Sequence, residues 1–298
     1  MGNGIDGGVL SVLRGDPPKR LVILGASGFV GRHVGQAASI AGWQCLLLGS
    51  SNLDLESDEA GDQLAERLLP TDAVVYSAAV APAKNPLDVV RNTVMSSTLA
   101  SALATVGVAQ LVIVSSDGLY GGRSALVSEA TRPAPDDFHG VMHLLRELTC
   151  RSSATPCVGV VRPSAIYGAD DPHNAYGPNR FARQALLDGK VTVLGRGLAV
   201  RDHVAVEDVA AIVCLMVARR VRRVVNAVSG FSLPFHRMAA LIARNAGIEG
   251  AVEHVGAETT PTFRYYDTTL ARSLFPELLP TSPEVGIPRL VRTMKAKL

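Results

Sequence analysis

The sequence predicts an α/β protein built on a doubly wound parallel sheet, with a smaller C-terminal lobe. Three observations carry this. Short apolar runs alternate with helical patterns through the first half of the chain, as parallel strands covered on both faces do. Right-handed crossovers between such strands place helices on both sides of the sheet. A glycine-rich turn, Gly25-Ala26-Ser27-Gly28-Phe29-Val30-Gly31, joins the first strand to the first helix.

Arg20 to Leu24 reads as the first strand, entered after Pro17-Pro18, and a helix follows from about Gly28 to Ala41, stopped by Gly42. Gln44 to Leu48 is a second strand, and a polar helix from about Ser57 to Leu69 ends at Pro70. Asp72 to Tyr76 is a third strand, followed by a long helix from about Leu87 to Val106 that Gly107 terminates. Gln110 to Val114 is a fourth strand, a helix bearing His139 runs to about Ser152, and Cys157 to Val161 is a fifth strand.

After Pro163 the texture changes. Tyr167 to Arg180 is a loop rich in Gly, Pro, Asn and Asp, Phe181 to Gly189 is helical, and Val191 to Leu194 is a strand. Asp208 to Arg219 returns to the sheet as a helix, with Arg223 to Ala227 as a late strand. Leu233 to Leu298 mixes short helices with Pro-rich turns. The expected division is a loose leader over 1–18, a dinucleotide-binding domain over 19–163 with about 204–228, and a substrate-binding lobe over 164–203 and 229–298.

Hydrophobic residues make up 47% of the 298 and charged residues 19%, enough apolar surface for a substantial core. Net charge is +2 with Lys and Arg scattered, which gives no nucleic-acid footprint. Mean hydropathy is +0.22. The longest apolar run, Val209 to Ala218, is closed by charges and falls short of the roughly 20 residues a bilayer span takes, so no membrane association is expected. Cys45, Cys150, Cys157 and Cys214 show no Cys-x-x-Cys spacing and read as buried small hydrophobes. The Gly-rich N-terminus lacks the apolar core of a signal peptide, and a cytoplasmic location is the expectation.

The glycine turn sits where a dinucleotide loop belongs, directly after a strand and opening a helix, and makes the N-terminal part a Rossmann unit. Gly25 permits the tight turn, Gly28 lets a pyrophosphate approach the backbone, and Gly31 allows close helix–strand packing. Free N–H groups at the helix start, with the helix dipole, favour an anion. The second strand ends in Gly49-Ser50-Ser51-Asn52, with no carboxylate there to repel a 2′-phosphate. Ser50, Ser51 and Asn52 offer hydrogen bonds and Arg32 a charge. The expected cofactor is therefore NADP or NAD, with NADP slightly favoured.

Together these segments resemble the extended short-chain dehydrogenase/reductases, the NAD(P)-dependent nucleotide-sugar epimerases, dehydratases and reductases, over about Leu21 to Asp267. Tyr76-Ser77-Ala78-Ala79 is similar to a strand end that contacts the cofactor, and Asn92 to a structural, cofactor-side Asn. Ser115-Ser116-Asp117-Gly118-Leu119-Tyr120-Gly121 resembles the Ser/Thr-bearing segment, and Arg162-Pro163-Ser164-Ala165-Ile166-Tyr167-Gly168 the Arg-Pro-x-x-x-Tyr-Gly segment. Arg201-Asp202-His203-Val204-Ala205-Val206-Glu207-Asp208 is close to Arg-Asp-aromatic-Val-x-Val-Asp-Asp.

The resemblance implies cofactor contacts from Gly25, Ser27 to Arg32, Ser50 to Asn52, Ser77 to Ala79, Asn92, Ser115, His143 and Pro163. It implies substrate contacts from Tyr120, Asn179, Arg201 and Arg264, a nucleotide-linked sugar as the small-molecule substrate, and a homodimer. The departure lies in the helix Phe138 to Glu147. Aligned on Gly140 and Glu147, the family's Tyr-Gly-x-x-Lys-x-x-x-Glu places His139 at Tyr and His143 at Lys, one helical turn apart.

A phenol with pKa about 10 needs a neighbouring ammonium to act as a base near neutrality, whereas histidine titrates near 6.5 unaided. The implied catalytic set is Ser116, His139, His143 and Asp117, an acid where dehydratases carry one. Gly118 stands at the second acidic position, which weakens a dehydratase. No third ligand accompanies the His pair, and no metal is expected. Two alternatives stay open: a dinucleotide-binding sensor or assembly subunit without redox catalysis, and a non-redox lyase using Asp117.

Overall fold

The computed structural model describes residues 17–122, 125–153, 155–257 and 260–298, so the leader expected over Met1 to Pro18 lies almost wholly outside the described residues. Six parallel strands form the central sheet: β1 (Leu21–Leu24), β2 (Cys45–Leu48), β3 (Ala73–Tyr76), β4 (Gln110–Val114), β6 (Val158–Pro163) and β11 (Val224–Ala227). Their order is β2-β1-β3-β4-β6-β11, and every neighbouring pair is parallel. The strand between β4 and β6 in the chain, β5 (Leu126–Val127), stands outside this sheet. The chain switches direction across the sheet between β1 and β3, which opens a crevice beyond their carboxyl ends.

Helices α1 (Phe29–Ile40) and α6 (Val206–Ala218) cover one face. There Val34, Ala37, Val209 and Val213 pack on Ile23, Val75, Val112 and Val161. Helices α2 (Ala60–Arg67), α3 (Pro86–Val106) and α4 (Phe138–Arg151) follow in the chain. Leu64, Leu99, Leu103 and Cys150 from them meet Val22, Val74, Leu111 and Val160 on the other face. The two clusters use alternate residues of the same strands, which is why those strands read as unbroken apolar runs.

Helix α2 is shorter than the expected span to Leu69, because Leu68 is already extended ahead of Pro70. Helix α3 begins where the Asn85 side chain accepts from the Asp88 N–H at 3.0 Å, with Pro86 at its first position, and it ends at Gly107 in the left-handed region.

Beyond β6 the chain builds a second core. Helices α5 (Pro178–Leu187), α7 (Phe235–Ala246) and α9 (Pro283–Lys295) pack Phe181, Met238, Ile242 and Leu290 together, with β8 (Val191–Leu194) paired to β13 (Val252–Val255). Helix α8 (Thr269–Leu274) lies between β13 and α9 in the chain. Four further short strands pair distant segments: β7 (Ala165–Tyr167) with β10 (His203–Ala205), and β9 (Val200–Arg201) with β12 (Leu233–Pro234). The last, β14 (Tyr265–Tyr266), pairs with β5 and carries the late chain back to the segment after β4. Among the described residues no helix is long and apolar enough to cross a membrane.

His203 in β10 is buried against the Phe235 ring at 5.6 Å, and neither ring nitrogen has a partner among the described residues. Burial, with the charge of Arg201 second, lowers its pKa from 6.5 to about 3. The unfolded chain therefore binds this proton first as pH falls. The contribution to stability is whole above about 6.5, declines toward about 3, and is lost below that. We expect His203→Phe to remove on the order of 1–3 kcal/mol of acid destabilisation over that window. Urea unfolding at a series of pH values checks this, and parallel curves for the two proteins would refute it.

Candidate functional site

A cleft of about 780 Å³ runs along the carboxyl ends of β1, β2, β3, β4 and β6. At one end it is bordered by the glycine turn. Gly25 adopts φ +85°, and a Cβ there would lie 2.5 Å from Ala78 N. A Cβ on Gly31 would lie 2.1 Å from Gly25 O, so both glycines let the turn sit tightly against β3 and α1. Gly28 is different: a Cβ would meet only Gly25 O, at 3.2 Å, and the residue lines the cleft. Among the described residues no side chain caps the start of α1, and no acidic residue lies in its first turn. Its free N–H groups and bare Gly28 therefore make a cradle suited to a pyrophosphate. Ser27, Phe29, Val30, Ser50, Ala78 and Ala79 also line the cleft, as does Ser77, whose Oγ donates to Leu24 O at 2.8 Å.

The other end is built where α4 meets the turn after β4. Ser116 caps the short 3-10 turn Asp117–Tyr120, its Oγ accepting from Gly118 N at 3.1 Å. Asp137 caps α4, accepting from Gly140 N at 2.7 Å. A Cβ on Gly140 would lie 2.6 Å from Gly118 O, and one on Gly118 would lie 3.3 Å from the His139 ring. Two glycines thus bring the first turn of α4 against Ser116, and Ser116, Asp117, His139 and His143 all line the cleft together. Gly118, at the second acidic position, therefore borders the His139 ring directly.

The His139 and His143 rings meet edge to face, 4.6 Å between centroids. His139 Nδ1 is buried without a partner among the described residues. Burial lowers the His139 pKa; Asp137 and Asp117 oppose this, while Arg146 and His173 add to it. His143 is held well below the ordinary value by burial first, then by the charge of Arg146 and by His139.

Beneath the pair lies a buried polar network. Glu147 accepts from Arg162 Nε at 2.9 Å and Nη2 at 2.7 Å, and from Ser115 Oγ at 2.6 Å. Arg162 Nη1 donates to Tyr120 Oη at 3.0 Å, and Tyr120 donates to Asn226 Oδ1 at 2.8 Å. Burial works against the Arg162 charge, but the hydrogen bonds and charge of Glu147 outweigh it and raise its pKa.

Several residues expected to touch ligands do other work. Tyr120 is buried in this network, its hydroxyl bonded on both sides, and does not line the cleft. Asn179 is likewise buried, tied to Gly168 and to Asp171, so it shapes a loop. Asn92 holds Val80 through its N–H and C=O. Ser115 is spent on Glu147, although it borders the cleft. Asn52 closes the turn after β2 by accepting from Gly49 N, and neither it nor exposed Ser51 borders the cleft. Arg32 also lies off the cleft and pairs with Asp170 at 3.0 Å.

Arg264 pairs with Asp117 at 3.3 Å, and Tyr266 donates to the same carboxylate. Arg201 is spent on Val200 O and on Thr262. Neither arginine borders the cleft itself, but burial and then the Arg264 charge lower the Arg201 pKa, which marks them as like-charged neighbours.

Other cleft residues escaped the sequence reading. Leu53, Asp54, Leu55 and Glu56 line it just past β2, with Arg91 paired to Glu56 at 2.7 Å. The alternation Leu53-Asp54-Leu55, apolar on either side of an acid, was their available signal. Asp171 and His173 come from the loop before α5, and Arg146 lies one turn beyond His143.

A cleft with a phosphate cradle at a switch point defines a dinucleotide-binding Rossmann protein. The profile of the NAD dependent epimerase/dehydratase family matches residues 21–227, and the chain belongs to that family. The fold is similar to that of MoeE5 in complex with UDP-glucose and NAD, with TM-score 0.81 and 22% identity over 93% of this chain and 99% of that one. It is also similar to the Thermus thermophilus UDP-glucose 4-epimerase in complex with NAD, with TM-score 0.80 and 21% identity over 94% and 100% of the two chains. A GDP-L-fucose synthase from Azorhizobium caulinodans is 42% identical over 62 residues, which is 21% of this chain and 20% of that protein's length.

The network under the histidines predicts a large effect of a small change. Glu147→Gln leaves the Arg162 guanidinium buried without its counter-charge, which costs about 3–5 kcal/mol. Denaturant unfolding measures this, and a loss below about 1 kcal/mol would show that the pair does not hold α4 to β6.

Proposed function

We propose that the protein is an NAD(P)-dependent enzyme that oxidises and re-reduces, or reduces, a sugar carbon of a nucleotide-linked sugar. The observation that carries this is one continuous cleft with the Gly25–Gly31 cradle at one end and Ser116 beside His139 at the other. A nicotinamide dinucleotide bound there would supply hydride exchange with the sugar carbon. Ser116 Oγ accepts from Gly118 N, and its own O–H remains available to orient a sugar oxygen. His139 takes the proton from that oxygen on oxidation and returns it on reduction. Its lowered pKa keeps the imidazole neutral near neutral pH, with a lone pair open to that proton. Epimerisation and keto-reduction both use this set.

NAD is the better fit of the two cofactors. Asp54 and Glu56 line the cleft past β2, where carboxylates oppose a 2′-phosphate, and Arg32 is paired to Asp170. An anionic diphosphate reaching residues 164–203 and 229–298 would draw Arg201 from Thr262 and Arg264 from Asp117, two arginines close enough to oppose each other's charge. Tyr266 and Arg264 already occupy the Asp117 carboxylate, which disfavours the lyase reading. Exposed Leu87, Val90 and Val94 on α3 and Leu148 on α4, two helices packed together, support a homodimer through this face.

The test is purified protein with NAD or NADP and a panel of nucleotide sugars. Turnover should fall about 10²–10⁴-fold in His139→Ala with little change in cofactor affinity. Unchanged turnover would remove His139 from the chemistry, and tight cofactor binding without any hydride transfer would favour a sensor. Gly28→Val should weaken NAD binding by at least about 10-fold, read by calorimetry, while the melting temperature moves little. Equal affinity would displace the cradle from the phosphate role.

A further inference from the structure

Arg146 lies one turn beyond His143 on α4 and is 1% exposed. Its Nη1 donates to Val114 O at 3.0 Å and its Nη2 to Ala78 O at 2.7 Å, and the guanidinium lies 4.5 Å above the Tyr76 ring. It is thereby fixed against the ends of β3 and β4, beside the cleft that it lines. Among the described residues no carboxylate bonds to it; carbonyl dipoles and an aromatic face hold the charge. Arg146 Nη1 also lies 3.2 Å from His143 Nδ1.

A guanidinium can only donate. His143 Nδ1 must therefore accept and carries no hydrogen, and the neutral ring keeps its one hydrogen on Nε2. A doubly protonated ring would set Nδ1–H against the Arg146 N–H.

We propose that Arg146 is a positioning residue that locks His143 as the neutral Nε2–H tautomer, so that the ring presents a permanent donor to the cleft and His139 is left as the one titrating member of the pair. The groups facing the pair come from every element around it. Asp137 at the start of α4 and Asp117 in the 3-10 turn favour the charged form of His139, while Arg146 and His173 from the loop before α5 oppose it. Arg146 and His139 oppose the charged form of His143. A fixed N–H donor selects an acceptor oxygen, such as a hydroxyl of a ribose or hexose. That choice of ligand rests on the proposed function; the tautomer does not.

The test is nitrogen NMR of the protein labelled with ¹⁵N-histidine, with the His143 signals assigned by their loss in His143→Gln. From about pH 8 to about pH 5 the wild-type His143 should keep one protonated and one bare nitrogen, with Nε2 protonated, while His139 titrates below its ordinary value. His143 with Nδ1 protonated, or titrating near about 6.5, overturns the proposal without recourse to any further variant. In Arg146→Met the lock should be lost, with both neutral tautomers of His143 exchanging. Arg146→Lys, which keeps a donor and a charge, should restore the single tautomer. An unchanged His143 spectrum in Arg146→Met also overturns it. A locked His143 in a protein without turnover sinks the proposed function and leaves this inference standing; the reverse pattern does the opposite.

Discussion

Helix α4 is fastened to the sheet by two consecutive buried charges with different partners. Glu147 takes both nitrogens of the Arg162 fork from β6 and the hydroxyl of Ser115 at the end of β4. Arg146 reaches carbonyls just past β3 and at the end of β4. Each buried charge is costly to desolvate and is tolerable only with its partners in place. Their geometry thus fixes both the rotation and the height of α4, and with them the positions of His139 and His143. The same network spends Ser115 and Tyr120, and leaves the hydroxyl of Ser116, next in the chain, facing the cleft beside His139.

The chemistry follows from that fastening. A dry helix face carrying two imidazoles would be a poor place for charge, and burial lowers both pKa values. A neutral imidazole is what proton abstraction near pH 7 requires. A phenol in the same position would need a nearby ammonium to reach a usable pKa. In this chain a cation, Arg146, lies one turn beyond the second histidine and bonds to it.

Much of the fold was legible because its signals are local. The six sheet strands are apolar runs closed by Gly, Pro or polar residues, and each stands within a few residues of its expected place. The glycine turn was legible for the same reason. Residues whose role depends on distant pairing were not. The strands β5 and β14 are two residues each, and only their pairing brings Tyr266 onto Asp117. Tyr120 and Asn179 stood in segments that resemble ligand-binding motifs, but Asn226 and Asp171, far along the chain or across a loop, claim their polar atoms. Asp54 and Glu56 line the cleft a few residues beyond the end of β2, past the strand end to which the usual pattern points.

The central claim is that Ser116 and His139 act on one sugar oxygen, held there by the buried charges of α4. A crystal structure with NAD and a nucleotide sugar tests it most directly. The account predicts Ser116 Oγ and His139 Nε2 both within about 2.6–3.2 Å of the same sugar oxygen. A sugar bound with that oxygen out of reach of His139, or with the ring turned away from the cleft, would contradict it.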